Sequence, residues 1–304
     1  MKVLVTGANG FVGTHLVEAL LDRKHDVVAA CRPGTPQPQQ WVGRSPTRLR
    51  TMALELGNDE AIKEALSSQP DAIVHLAAIS YSRDAVNDPL QAWDVNVGGT
   101  ARLLAGAARR SRAVTVLVTS SAEVYGDGEL RPRVETDATR PTSPYGASKL
   151  GAEAAAAHAT AAWGLPVIVV RPFPATGPGQ TNRLIPNWLA ALQKGERNIE
   201  GEGHIVRDYL DVRDTAAGFA ALLTKGRPGE TYNLASGRGV RFDELFATLT
   251  ASAGISAKLV PPSKPRRESP YLVGDSGKLQ QHTGWHPTIP LDQTLSDLID
   301  AQTH

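Results

Sequence analysis

Cysteine is nearly absent: Cys31 is the only one among 304 residues. A single thiol cannot close an internal disulfide, so folding is not expected to depend on an oxidising compartment. Excess charge is missing too. Lys and Arg number 32 against 31 Asp and Glu, a formal net charge of +1, and no long run of one sign occurs. That balance argues against a nucleic-acid surface and against a polybasic membrane patch. No apolar run approaches the length of a membrane span. The opening residues, M-K-V-L-V-T-G, read as a strand and a turn rather than as a charged leader with a cleavage site. A soluble, cytoplasmic protein without nucleic-acid or membrane partners is expected. The eight histidines show no metal-ligand spacing, so no metal is expected either.

Apolar residues make up 41% of the chain, enough for one large domain or one with a smaller companion. Strand-length apolar runs at Val3–Thr6, Asp26–Cys31, Asp71–Ala78, Val114–Thr119 and Pro166–Arg171 alternate with helical patterns. The helical stretches are Gly13–Leu21, Asp59–Ser67, Asn96–Arg110 and Ala147–Trp163. Strands separated by helices predict an α/β fold, a Rossmann-type doubly wound parallel sheet. Such strands are covered on both faces, which explains why they are uniformly apolar. After Arg171 the pattern breaks, with Pro172, Pro174, Gly177, Pro178 and Gly179 crowded together. Further helices are expected at Leu184–Lys194, Asp214–Lys225, Phe242–Ala253 and Leu291–Ala301, and a strand at Thr231–Ser236. The expected division is a dinucleotide domain of residues 1–171 plus about 211–236. A smaller C-terminal α/β substrate domain takes residues 172–210 plus 237–304.

Residues Thr6–Gly13 read T-G-A-N-G-F-V-G, a glycine turn between a strand and a helix. Gly7 permits the tight turn, Gly10 lets backbone approach a pyrophosphate, and Gly13 lets the helix pack closely. The helix then aims its positive end at the phosphates. Asn9, Phe11 and Val12 belong to the same cofactor loop. An NAD site usually places an acid at the end of the second strand, to hold the ribose hydroxyls. Here that end reads Ala29-Ala30-Cys31-Arg32, and Arg32 suits a 2′-phosphate. NADP(H) is favoured, with NAD(H) open.

Residues Ser143–Leu150 read S-P-Y-G-A-S-K-L and open a long helix. Tyr145 and Lys149 are four apart, so they share a helix face about one turn from each other. A free phenol has a pKa of about 10 and shuttles protons poorly at neutral pH. A lysine ammonium one turn away is expected to favour the phenolate, and so is the positive charge of an oxidised nicotinamide. Tyr145 can then exchange a proton with a carbonyl oxygen as hydride moves. Lys149 can also hold the nicotinamide ribose. Upstream, Val116–Gly126 reads V-L-V-T-S-S-A-E-V-Y-G, a buried strand ending in hydroxyls. Ligands sit at the carboxyl ends of parallel strands, which places Ser121 on the same carbonyl oxygen. Glu123 is a candidate additional acid or base. His75, ending a buried strand, reads as a structural histidine.

These motifs together resemble the extended short-chain dehydrogenase family, which acts on nucleotide-linked sugars. The resemblance also runs through H-L-A-A (75–78), D-V-N-V-G-G-T (94–100), R-P-F (171–173), R-D-Y-L-D-V-R-D (207–214) and Y-N-L-A-S-G (232–237). Within that family the C-terminal half looks most like the GDP-4-dehydro-6-deoxy-D-mannose reductases, through G-P-G-Q (177–180) and L-Q-Q-H-T-G-W-H-P-T-I-P-L (279–291). The resemblance implies that Leu76, Ala77, Ala78, Asn96, Thr119 and Pro172 line the cofactor site, with Glu55 and Leu56 near adenine. It also implies substrate contacts from Ser80, Ser121, Glu123, Arg207, Arg266 and Glu268, with Arg207 on the diphosphate. A homodimer through the helices around 96–110 and 147–163 is implied as well. Pro174 departs from the family, which usually has Asn there.

The expected activity is NAD(P)H-dependent reduction of the C4 keto group of a nucleotide-linked 4-keto-6-deoxy sugar. GDP-4-dehydro-6-deoxy-D-mannose, giving GDP-D-rhamnose, is the favoured case. Epimerisation at C4 and 4,6-dehydration on the same scaffold are the alternatives. Related dehydratases carry an acid–base pair after the hydroxyl, and Ala122 offers only a methyl group there. A non-catalytic dinucleotide-binding regulator is the third reading, and the survival of both Tyr145 and Lys149 argues against it. Replacing Tyr145→Phe should lower turnover by at least about a hundredfold, the scale of a lost proton donor. Unchanged steady-state turnover in that variant would remove the tyrosine from the mechanism.

Overall fold

The computed structural model describes residues 1–41, 43, 47–263 and 269–303. From the N-terminus, β1 (Lys2–Thr6), α1 (Phe11–Asp22), β2 (Asp26–Cys31) and β3 (Leu49–Ala53) follow one another. Next come α2 (Asp59–Ser67), β4 (Ala72–His75), and the short helices α3 (Ser82–Asn87) and α4 (Pro89–Trp93). After a wide helical turn at Asp94–Gly99 come α5 (Thr100–Ala108), β5 (Thr115–Thr119), α6 (Pro144–Trp163) and β6 (Val167–Pro172). The later chain holds β7 (Ala175–Thr176), α7 (Leu184–Gln193), β8 (Asn198–Glu200), β9 (Val206–Asp208) and β10 (Leu210–Asp211). It continues through α8 (Val212–Lys225), β11 (Thr231–Leu234), β12 (Gly239–Arg241), α9 (Phe242–Ala253) and β13 (Lys258–Val260). The last elements are β14 (Tyr271–Leu272), α10 (Gly277–Thr283) and α11 (Leu291–Thr303).

Seven parallel strands form the central sheet in the order β11-β6-β5-β4-β1-β2-β3. The order reverses direction between β1 and β4. That is the switch point where a doubly wound sheet opens a crevice at its carboxyl edge. One face is covered by α1 and α8, through Leu16, Val17 and Leu20 against Phe219, Leu222 and Leu223. The other is covered by α2, α5 and α6, through Ile62, Leu66, Leu103 and Leu104, with Ala156 and Ala159. The alanines of α6 let that helix lie close to the strands. A separate apolar cluster joins α7, α9 and α11, centred on Trp188, Leu189, Phe246, Leu249 and Leu298. Small sheets β12-β9-β14 and β13-β8 stand beside it.

The expected doubly wound sheet is present, and the main strands and helices lie within a few residues of their expected places. Three differences bear on the site. The strand expected over Asp71–Ala78 stops at His75, and Leu76–Ala78 turn outward to line the crevice. The helix expected from Asn96 begins with the wide turn at Asp94–Gly99. Strand β3 was not anticipated. It is an edge strand of sequence L-R-T-M-A with three of its five residues exposed, so no apolar run marks it. No helix among the described residues is long and apolar enough to cross a membrane.

Candidate active site

A cavity of about 2530 Å³ runs along the carboxyl edge of the sheet, bounded by the glycine turn, the α6 start and the later chain. A single drug-sized ligand fills about 300–1,000 Å³, so this space suits two extended ligands.

The glycine turn forms the first wall. Gly7 adopts φ +65°, and a Cβ there would sit 2.7 Å from the Ala77 nitrogen. A Cβ on Gly13 would sit 2.3 Å from the Gly7 carbonyl oxygen. Neither position admits a side chain. At the N-cap of α1, Gly10 supplies no side-chain cap, and the first intrahelical bond runs from Thr14 N to Gly10 O at 2.9 Å. The preceding N–H groups of this turn have no helical partner. Gly7, Asn9, Gly10, Phe11, Val12 and Gly13 all line the cavity, so an anion would meet open amides and a positive helix end there. The donor set therefore fits a dinucleotide pyrophosphate. Beyond it, Asn9 Nδ2 donates to Thr35 Oγ1 at 2.7 Å, beside Arg32 at the end of β2. Arg32, Glu55, Leu56, Leu76, Ala77 and Ala78 line the same stretch.

Asn96 does not line the cavity. It is 1% exposed, and its amide is spent on the Ile79 backbone. Ile79 N donates to Oδ1 at 2.8 Å, and Nδ2 donates to Ile79 O at 3.1 Å and to Ser148 Oγ at 2.9 Å. The expected cofactor contact is thus corrected: Asn96 holds the cavity wall in place from behind. His75 is pushed down to about 3 by burial and then by the Lys149 charge. It is neutral and bonded to Thr6 Oγ1 and Thr100 Oγ1, a structural histidine.

The reactive groups come from two helix starts. Ser121, at the end of β5, caps the short turn Ala122–Val124 by accepting from Glu123 N at 3.1 Å. Ser143 caps α6, accepting from Gly146 N at 3.0 Å and donating to Glu123 Oε2 at 2.6 Å. Pro144 opens the helix, where its missing N–H costs nothing. Tyr145 then follows on the cavity wall, with Lys149 one turn further along the helix. Lys149 is 5% exposed and donates from Nζ to Thr119 O at 2.7 Å. Thr119, Ser121, Glu123, Tyr145, Lys149 and Pro172 all line the cavity.

The electrostatics differ from the sequence expectation. The Tyr145 phenol is pushed well above its ordinary value, first by burial and then by the Glu123 charge. A hydrogen bond from Ser121 and the Arg183 charge oppose this without reversing it. Lys149, aimed at a carbonyl, does not draw the phenol toward the phenolate. Burial brings Lys149 itself down to about 8, against the opposing pull of Glu153. Tyr145 therefore holds its proton more tightly than a free phenol.

The opposite wall holds groups that the spacing of the sequence did not single out. Arg183 Nη2 donates to Ser80 O at 3.0 Å and to Ser80 Oγ at 3.3 Å, and the guanidinium lies 3.7 Å above the Tyr81 ring. Tyr81 Oη donates to Thr181 O at 3.1 Å. These contacts strap two loops about a hundred residues apart across the cavity, and only their proximity in space reveals them. Ser80 lies under this strap, exposed. Arg207 is half-buried in the cavity wall, 5.7 Å from the Phe242 ring centre. Pro174 also faces the cavity. Arg266 and Glu268 lie outside the described residues. Among the described residues, no group of three or more His, Cys, Asp or Glu is arranged to hold a metal ion.

Residues 3–235 match the NAD dependent epimerase/dehydratase family. The chain is 32% identical to a GDP-6-deoxy-D-mannose reductase of Pseudomonas aeruginosa, over 98% of this chain and 96% of that protein. It is 34% identical to a dTDP-glucose 4,6-dehydratase of Streptomyces griseus, over 98% of this chain and 92% of that protein. The solved structure of RMD from Pseudomonas aeruginosa complexed with NADPH superposes with a TM-score of 0.84. The identity there is 29%, covering 99% of this chain and 96% of that one.

A buried lysine of low pKa leaves a trace in stability. Below pH 8 the folded and unfolded chains both hold the Lys149 proton, so the full burial penalty applies. Between about 8 and the unfolded value of 10.5 the folded chain releases it first, and stability rises with pH. Lys149→Met removes that penalty but also one hydrogen bond. It should therefore stabilise the protein at pH 7 by about 2 kcal/mol while abolishing turnover. The gap in urea midpoint between the two proteins should close toward pH 10.5. A midpoint difference independent of pH would mean that the lysine is not held in this way.

Proposed function

The chain belongs to the NAD dependent epimerase/dehydratase family, and from that premise we propose that it reduces the C4 keto group of a nucleotide-linked 4-keto-6-deoxy sugar. The observation that carries this reading is Tyr145 within hydrogen-bond reach of Ser121, in the cavity that begins at the open amides of the glycine turn. A nicotinamide dinucleotide, when bound, supplies the hydride. The glycine turn and the start of α1 would hold its pyrophosphate, and Lys149 its nicotinamide ribose. Ser121 and Tyr145 would hydrogen-bond the C4 oxygen. As negative charge develops there, Tyr145 gives up its proton to the oxygen that it hydrogen-bonds. Glu123 contributes by its charge, since it is one of the groups that keep the phenol protonated. Arg207 would take the substrate diphosphate, which suits a guanidinium. The Arg183–Tyr81 strap would keep water from the reacting carbon.

The finer assignments follow the same logic. Arg32 lines the cavity at the end of β2, a strand end that carries no carboxylate of its own, so NADPH is the proposed cofactor. The likeness to the P. aeruginosa reductase supports GDP-4-dehydro-6-deoxy-D-mannose as substrate and GDP-D-rhamnose as product. A second reading, 4,6-dehydration or 4-epimerisation, is favoured by one observation: the Glu123 carboxylate lines the cavity close enough to act on the phenol.

Oxidation of NADPH and NADH against GDP-, dTDP-, UDP- and CDP-linked 4-keto-6-deoxy sugars separates these readings. The GDP sugar should consume NADPH stoichiometrically and faster than NADH, and the purified protein should carry no bound dinucleotide. Protein that retains NAD and converts a nucleotide sugar without net oxidation of NADPH would establish the second reading instead. A homodimer is proposed as well, seated on the side where α3 and α4 expose Val86, Leu90 and Trp93 and α6 exposes Trp163. A monomeric mass by light scattering would exclude it.

A further inference from the structure

Helix α6 carries a third ionisable group on the face of the proposed catalytic pair. Glu153 follows Lys149 by four residues, as Lys149 follows Tyr145, so the three stand on successive turns. Glu153 is 11% exposed and clamped by Arg171, which is 7% exposed. Arg171 Nε donates to Oε1 and Nη2 to Oε2, each at 2.8 Å, a two-pronged fit. Ser120 Oγ donates to the same Oε1 at 2.5 Å. Arg171 Nη1 continues to Tyr125 Oη at 3.0 Å, and Tyr125 to Asn233 Oδ1 on β11 at 2.7 Å. One carboxylate thus ties α6 to the residue beside Ser121, to the end of β6 and onward to β11.

Stability alone does not explain such a pair. Desolvating two charges offsets most of their attraction, and apolar replacements are often as stable. Its geometry and charge do have a use, because α6, the turn at Ser120 and Ser121 and the end of β6 each deliver a residue to the cavity. We propose that Glu153, clamped by Arg171, is a positioning residue that fixes Ser121 against α6 and keeps the Lys149 ammonium charged in its buried place. This rests on the reading of Ser121, Tyr145 and Lys149 as the catalytic groups. Around the ammonium, Glu153 and Tyr145 lie on its own helix, neutral His75 ends β4, and Glu123, in the turn after β5, acts on the phenol. Glu153 is the one whose charge favours the protonated lysine.

The test is Glu153→Gln, assayed with NADPH and GDP-4-dehydro-6-deoxy-D-mannose and compared with Glu153→Asp. The glutamine variant should lose about ten- to a hundredfold in kcat, with KM for the sugar within about twofold. The alkaline limb of its pH–kcat profile should move down by about one pH unit. The aspartate variant, which keeps the charge, should keep the wild-type limb. Without cofactor, the pH at which urea stability begins to rise should move down in step with the limb. If the glutamine variant does not fold, the double variant Glu153→Gln with Arg171→Met removes both buried charges and should show the same loss of kcat. A folded variant lacking the carboxylate, with wild-type kcat and an unmoved limb, overturns the proposal. Tyr145→Phe, run alongside, separates the two failures: undiminished turnover there would overturn the catalytic assignment itself.

Discussion

Lys149 donates from a buried ammonium to the carbonyl of Thr119 at 2.7 Å, and much of the cavity is built around holding that charge in place. The bond needs α6 to start at the carboxyl end of β5, at the depth set by the strand. Ser143 and Pro144 fix that start, and Ser143 is tied to Glu123 in the turn that follows Ser121. The hydroxyl, the phenol and the ammonium are therefore placed by one junction between a strand end and a helix start. A shift of α6 by one residue would turn all of its polar groups away from the cavity together.

The parallel sheet supplies the rest. Because every strand of the central sheet runs the same way, all the loops that follow them open at one edge. The order reverses between β1 and β4, so the loops after these strands part and leave the crevice. Thr6 at the end of β1 meets His75 at the end of β4, in register. The Thr6 hydroxyl also accepts from Ala77 N at 3.2 Å, which fixes the wall beside the glycine turn. The later chain, with its own apolar cluster around Trp188 and Phe246, closes the far side. Its arginines, Arg183 and Arg207, bring positive charge to the part of the cavity away from the glycine turn.

The alternation of apolar and helical segments carried the sheet, since strands covered on both faces must be apolar throughout. Edge strand β3 escaped this reasoning for the same cause: exposed on most of its residues, it needs no apolar run. The cofactor loop was legible because glycine is demanded where backbone approaches backbone, at Gly7 and Gly13. The pair Tyr145 and Lys149 was legible because a helix repeats every 3.6 residues. Asn96 was misplaced, since a polar residue in a motif does not say whether it faces a ligand or the backbone behind it. The groups that act on the Tyr145 phenol in the protein alone were not legible either. One turn of helix made Lys149 look like its electrostatic partner, whereas the charges acting on the phenol are those of Glu123 and Arg183.

By itself, then, the amino-acid order determined the features that depend on neighbours a few residues apart. These are the strands and helices, the glycine turn, the capped start of α6 and the shared face of Tyr145 and Lys149. Tertiary structure decided what depends on groups far apart in the chain. Arg183 reaches Ser80 and Tyr81, Arg171 clamps Glu153, and burial moves the proton affinities of Tyr145 and Lys149 in opposite directions. The reason is physical. Backbone conformation and helix periodicity are local properties, whereas desolvation and electric field are sums over everything that folding brings near.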